Sequence, residues 1–179
     1  MQRHPRSGLF AAAALVGLVL SACGGSATYS VAGVTFQYPH AWKTILAPAT
    51  TPGSVGLTTR VGVGLDTANV VVLVVSHLSN SIGPADTART EQSVIQALSS
   101  SAKSHGATVQ GPGGDKLGGF DGLGLTIVGL PVGRQTVDSR VIIVINGNTE
   151  YLLNCQATQD RAEQIGKGCA EVIRTFSVS

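Results

Sequence analysis

Chemistry in this 179-residue chain has to be built from three cysteines, four histidines and a scatter of serines and aspartates beside glycine. The histidines, His4, His40, His77 and His105, lie in separate segments, and none has a carboxylate at helical i+3 or i+4 spacing. Zinc ligation and general-base catalysis both need such partners converging on the imidazole, so strand-end and loop positions in solvent are expected for them. The glycine runs "GVGLDT" (62–67) and "GPGGDK" (111–116) have neither the G-x-G-x-x-G spacing nor a phosphate-loop lysine. "PGSVG" places Ser54 as G-S-x-G, not G-x-S-x-G, which leaves it a poor nucleophile for a hydrolase. Asp115, Asp121 and Asp138 fall in turn-rich segments, where aspartate is more at home than in a carboxylate pair. Neither a metal nor a cofactor is implied.

The first cysteine has a different chemistry. Arg3 and Arg6 precede an uncharged run, Leu9 to Leu20, that has signal-peptide length and is shorter than the roughly 20 apolar residues of a membrane-spanning helix. Leu20-Ser21-Ala22-Cys23 then has the order of a bacterial lipobox: an aliphatic residue, two small residues that pass into a peptidase, and a thiol that becomes a thioether to diacylglycerol. Residues 1–22 are thus expected to be a cleaved leader, Cys23 the acylated first residue, and 23–28 a Gly/Ser tether. The alternatives are cleavage at an Ala-x-Ala-like site with Cys23 free, or an uncleaved anchor. Two or more acyl chains hold a protein stably at a membrane, which places the chain on the extracytoplasmic face of the cell membrane.

Losing Arg3 and Arg6 leaves ten basic residues against ten acids, so the formal charge of +2 belongs to the leader. No basic patch remains to attract nucleic acid. With Cys23 assigned to lipid, Cys155 and Cys169 form the remaining pair, and an exported domain sits where thiols oxidise. A disulfide is expected, with two buried free thiols or a metal pair as the alternatives. The metal pair lacks further ligands at suitable spacing.

What must position these residues is a β-rich domain over 29–179. Val34, Phe36 and Tyr38 alternate with Thr35 and Gln37 after a turn at Ala32-Gly33, and Pro39 ends that strand. Residues 48–56 read as a loop. Asn69 to Leu78, "NVVVLVVSHL", is β-branched nearly throughout and apolar on both faces, so it belongs at the centre of a covered sheet. A helix follows to about Ser104, capped by Asp86 or Thr87, with an apolar stripe broken only by Glu91. Beyond the Gly-rich stretch 111–122 come further strands, two of them joined by Asn146-Gly147-Asn148, a strong hairpin signal. A last helix, with Asp160 and Glu163 as a capping box, carries Cys169 on its buried stripe towards Cys155. This order implies an α+β fold, a single antiparallel sheet with helices packed on its faces.

Three segments carry a family resemblance. "GVTFQYPHAWK" (33–43) resembles the opening of Mog1/PsbP-like domains, "LGGFDGLGLTIVG" (117–129) the strand before their last hairpin, and "AEVIRTFSVS" (170–179) their closing helix. With the lipobox and the late cysteine pair, the chain is similar to actinobacterial lipoproteins of the LpqN type. The resemblance implies a sheet covered by helices in a non-enzymatic envelope protein, and it transfers no catalytic residue.

The expected activity is therefore binding, of an envelope protein partner or an apolar ligand. The candidate surface is Tyr38, His40 and Trp42 at one end of the first long strand, weighed against plain core packing of the tryptophan. A lipid or glycolipid carrier needs an internal apolar cavity under the helices. A hydrolase needs a serine and a histidine within hydrogen-bond reach.

Overall fold

The structure, a computed structural model, describes residues 25–53 and 56–179. The leader, Cys23 and Ser54 lie outside the described residues.

Two hairpin signals are realised as local turns. β1 (Ser26–Val31) and β2 (Val34–Pro39) are joined through Ala32 and Gly33, both at positive φ. β8 (Gln135–Asn146) and β9 (Thr149–Ala157) are joined through Gly147, also at positive φ, and Asn148. The apolar run becomes β5 (Val70–Leu78), paired on one side with β4 (Gly56–Gly64) and on the other with β9. With β3 (Lys43–Gly53), β6 (Thr108–Leu117) and β7 (Phe120–Val132) they form an antiparallel seven-stranded sheet of order β3-β4-β5-β9-β8-β7-β6.

The fold is mostly sheet, and there are two sheets, not the single one expected. β1, β2 and the C-terminal β10 (Ser177–Val178) make a separate three-stranded sheet. Pro39, which has no N–H to donate, closes β2, and the chain re-enters as an edge strand of the other sheet. The loop expected over 48–56 is also replaced by strand, with Gly53 and Gly56 paired. Prolines survive there because β3 is an edge whose outer hydrogen bonds go unused, and two register shifts between Thr44 and Ala49 relax the ladder. The opposite edge repeats the solution: Pro112 sits within β6 at the register shift between Gln110 and Gly113.

α1 (Pro84–Ser104) starts earlier than Asp86 or Thr87, because Gly83 is the cap and Pro84 fits the first turn. α2 (Ala162–Thr175) follows a 3-10 turn at Gln159–Arg161 and forms no capping box. Glu163 instead pairs with Lys167.

One face of the large sheet carries α2 and the small sheet, enclosing Leu73, Val75, Ile142, Leu153, Ile165, Val172 and Phe36. There Cys155 of β9 and Cys169 of α2 are joined in a disulfide, Cα to Cα 5.9 Å. The other face carries α1 over β6, β7 and β8, with Ile95, Ala102, Leu125 and Ile143 between them.

Candidate functional site

The face beneath α1 can be read row by row from the strand register. Ile127, Ser139, Gln156 and Val70 lie side by side across β7, β8, β9 and β5, and the next row is Leu125, Val141, Asn154 and Val72. A third row holds Leu123, Ile143, Leu152 and Val74, and a fourth Ile145, Glu150 and Ser76. The floor is therefore aliphatic, with Ser139, Asn154, Gln156 and Glu150 set into it.

Its cover is incomplete. α1 reaches β6 to β8 and makes no comparable contact with β9 or β5. A register shift between Ile127 and Leu130, with Gly129 at positive φ, bends the tip of the β7–β8 hairpin, and the Gly129 N–H donates to Asp138 at 2.9 Å to hold the bend. Val132 thereby borders a hollow with Gln156 of β9 and with Val70 and Val72 of β5. Two hollows remain. One, of about 180 Å³, lies under the C-terminal half of α1 between Leu98, Leu130, Val141, Leu152, Ser139 and Asn154. The other, of about 280 Å³, lies between the bent tip, Leu46 of β3 and the row of Val70 and Gln156.

Two buried polar atoms face the first hollow without a partner. Ser139 is 2% exposed and its Oγ makes no hydrogen bond, nor does Asn154 Oδ1. The neighbouring amide fixes which end of Asn154 is free. Gln156 Nε2 donates to the Thr67 carbonyl at 2.8 Å, so its Oε1 turns to Asn154 and accepts from Asn154 Nδ2 at 3.3 Å. The Asn154 oxygen is left as an acceptor over the cavity.

α1 is clamped from its N-terminal half. Glu91, the break in the apolar stripe, is 5% exposed and accepts the backbone N–H of Ile145 at 3.1 Å. The pairing of β7 with β8 runs only as far as the Leu123–Ile143 pair in this direction, so that N–H has no strand partner and the carboxylate takes it. Burial pushes the Glu91 carboxyl above the usual glutamate range, partly offset by this hydrogen bond. Glu150 is likewise raised by burial.

The residues singled out from sequence are not gathered into one surface. Trp42 is 5% exposed and lies against Gly168 of α2, where a Cβ would overlap the indole ring. It packs the core instead of presenting a binding edge, because α2 and the small sheet close over it. Tyr38 is half-buried, with its ring 6.4 Å from both Tyr29 and Phe36. His40 alone is exposed. Asp115 is held by Arg140 at 2.8 Å, Asp121 by Lys116, and Asp138 by Gly129, so the three do not converge. Among the described residues no group of three or more His, Cys, Asp or Glu could hold a metal ion, and no helix is long and apolar enough to cross a membrane. Ser139 was the missed residue, and its signal was phase: it is the one polar side chain in the alternation Val137, Ser139, Val141, Ile143, Ile145.

No protein-family model and no curated protein matches this sequence. Solved structures do. The cyanobacterial PsbP of Synechocystis, CyanoP, superposes with a TM-score of 0.56 at 15% identity, covering 96% of this chain and 100% of its own. A protein from Bacteroides thetaiotaomicron gives 0.52 at 15% identity, covering 82% of this chain and 45% of its own. LpqN of Mycobacterium tuberculosis, described as involved in cell envelope biogenesis, gives 0.48 at 15% identity, covering 87% and 91%. The chain has a PsbP-like fold, and at this identity the likeness is one of fold alone.

Proposed function

We propose that this is a non-catalytic binding protein of the cell envelope, held at the extracytoplasmic face of the membrane by a lipid on Cys23, and that it takes an apolar ligand on the sheet face beneath α1. The observation that carries this is the hollow of about 180 Å³ between α1 and the sheet, walled by Leu98, Leu130, Val141 and Leu152. Apolar concavities with a few polar groups are what small-molecule sites are made of.

Mass spectrometry of small molecules extracted from the purified full-length protein tests the reading. A molecule that co-purifies with the native chain and is lost in Ser101→Phe, which fills the mouth of the hollow, supports it. Equal recovery from both overturns it. The anchor is tested separately: Cys23→Ala should move the protein from the membrane fraction to the soluble one, and continued retention overturns that part.

The second hollow favours one further reading, a lipid or glycolipid carrier. It adjoins the first along β9, where Asn154 and Gln156 are bonded to each other, and together the two would seat a longer chain. A co-purifying molecule of lipid length, lost also when Val72→Trp obstructs the second hollow, would favour it.

A further inference from the structure

We propose that the cavity beneath α1 selects a neutral apolar molecule that carries a hydroxyl group, which bonds Ser139 Oγ and Asn154 Oδ1 together. This rests on the reading of the α1 face as a ligand site and goes beyond it by naming the ligand's chemistry. The starting point is that both atoms are buried, face the same hollow and have no partner. A buried polar atom left unpaired costs about 1–3 kcal/mol, so two of them beside one cavity mark a place where bonds are completed by something else.

The chemistry of the missing partner follows from the two atoms. The Asn154 oxygen can only accept, since its own amide nitrogen is committed to Gln156. The ligand must therefore donate there. Ser139 can donate or accept. A hydroxyl meets both demands, donating to Asn154 and accepting from Ser139. A carboxylate cannot, because it has no hydrogen to give to the amide oxygen. None of the described residues lining the hollow carries a charge, which argues against an ionic ligand on desolvation grounds as well.

Placement agrees. Ser139 pairs with Gln156, and Val141 pairs with Asn154, so Ser139 and Asn154 are diagonal neighbours on adjacent strands. Diagonal neighbours stand roughly 7–8 Å apart at the backbone, and their side chains lean over one cavity. The body of the ligand then lies against Leu130 and Leu152. A water molecule at the same spot would gain the two hydrogen bonds but would face hydrocarbon on its other sides. A molecule with both a hydroxyl and an apolar body satisfies the whole lining.

Phenol, toluene and benzoate are probes of nearly one shape that differ in this group alone. They can be titrated into the full-length protein while methyl resonances of Ile127, Leu130 and Val141 are followed by NMR. Phenol is expected to bind about tenfold tighter than toluene, the value of one well-made hydrogen-bonding group, and benzoate is expected to cause no shift. In Ser139→Ala the phenol advantage should shrink, the bond to Asn154 remaining, while toluene keeps its affinity. That pattern a merely structural serine would not produce. Equal affinity for phenol and toluene in the native protein overturns the hydroxyl selection and leaves the apolar site standing. No shift with any probe overturns both.

Discussion

On the α2 face of the large sheet, Trp42 rests on Gly168, Cys155 is bonded to Cys169, and Phe176 meets Phe120 and Tyr151 edge-on at 6.4 and 5.4 Å. On the α1 face, a carboxylate is buried under the helix, and a hydroxyl and an amide oxygen are buried beside an unfilled hollow. The two faces are built from alternate residues of the same strands, so the difference lies in those side chains and in what is laid over them. α2 is stapled and packed against aromatic rings, whereas α1 is a helix clamped near one end and underfilled at the other. A face that maximises packing stabilises a fold. One that forgoes packing and leaves polar groups unpaired lowers stability locally, and such departures concentrate where proteins bind things.

The comparison is broken most forcefully by cutting the staple. Replacing Cys155 and Cys169 by alanine opens a loop with a sequence separation of 14, for which the chain-entropy model gives about 3 kcal/mol. For a chain of this size that is a fall in Tm of roughly 6–12 °C. Calorimetry of the oxidised and substituted proteins measures it, and the intact mass of the native protein should rise by two hydrogen atoms when a thiol reductant opens the bond. A Tm unchanged by the substitution would mean that the α2 face does not depend on its crosslink.

The clamp on the other face comes next. Glu91→Ala removes the acceptor of the Ile145 N–H and is expected to cost about 2 kcal/mol, the penalty of an unpaired buried donor. Glu91→Gln keeps an acceptor oxygen and should cost little. If chemical denaturation shows both variants equally weakened, the charge and not the hydrogen bond holds α1 down.

How much of this contrast the residues announce in advance also divides by face. The α2 face is legible because its signals are local or chemical: the alternation of Val34, Phe36 and Tyr38, the all-apolar run at 70–75, and two cysteines in an exported chain. The α1 face is less so. Glu91 breaks a helical stripe, and only the register that strands Ile145 explains why a carboxylate belongs there. Ser139 and Asn154 become a pair only once β8 and β9 are aligned. The three-stranded sheet was illegible for a similar reason, since β10 is two residues long and joins β2 from the far end of the chain. The strand at 48–53 is hidden by its prolines, because a residue that forbids a central strand is tolerated at a rim.

Ser139→Ala should reverse the usual sign. Most substitutions of buried residues destabilise, but this one removes a hydroxyl that has no partner in the unliganded protein, at the cost of a small loss of volume. A gain of about 1 kcal/mol is expected. A loss by denaturant titration would show that the hydroxyl is already satisfied, and the two faces would then differ less than their hydrogen bonds indicate.

The smallest effect is a pH dependence whose sign differs between the faces. Glu91 and Glu150, on the α1 face, are both raised by burial. A carboxyl raised in the folded state holds more protons there than in the unfolded chain, between its ordinary value of about 4.3 and its folded one. Stability from these two groups is therefore complete below the ordinary value and falls as pH rises through the folded one. Asp66, in the turn before β5, is lowered first by its bond from Asn69, and also by Ala68 and by Arg161 ahead of α2. Its contribution is present above about 3.9 and is lost as pH falls through its lowered value. Lowering the pH from neutrality towards the ordinary glutamate value of about 4.3 should thus raise Tm slightly through the α1 face while leaving the Asp66 contribution largely intact. The gain should shrink in Glu91→Gln and in Glu150→Gln. A native Tm that falls over this interval, or a gain that persists in both variants, would remove the electrostatic half of the contrast and leave only the difference in packing.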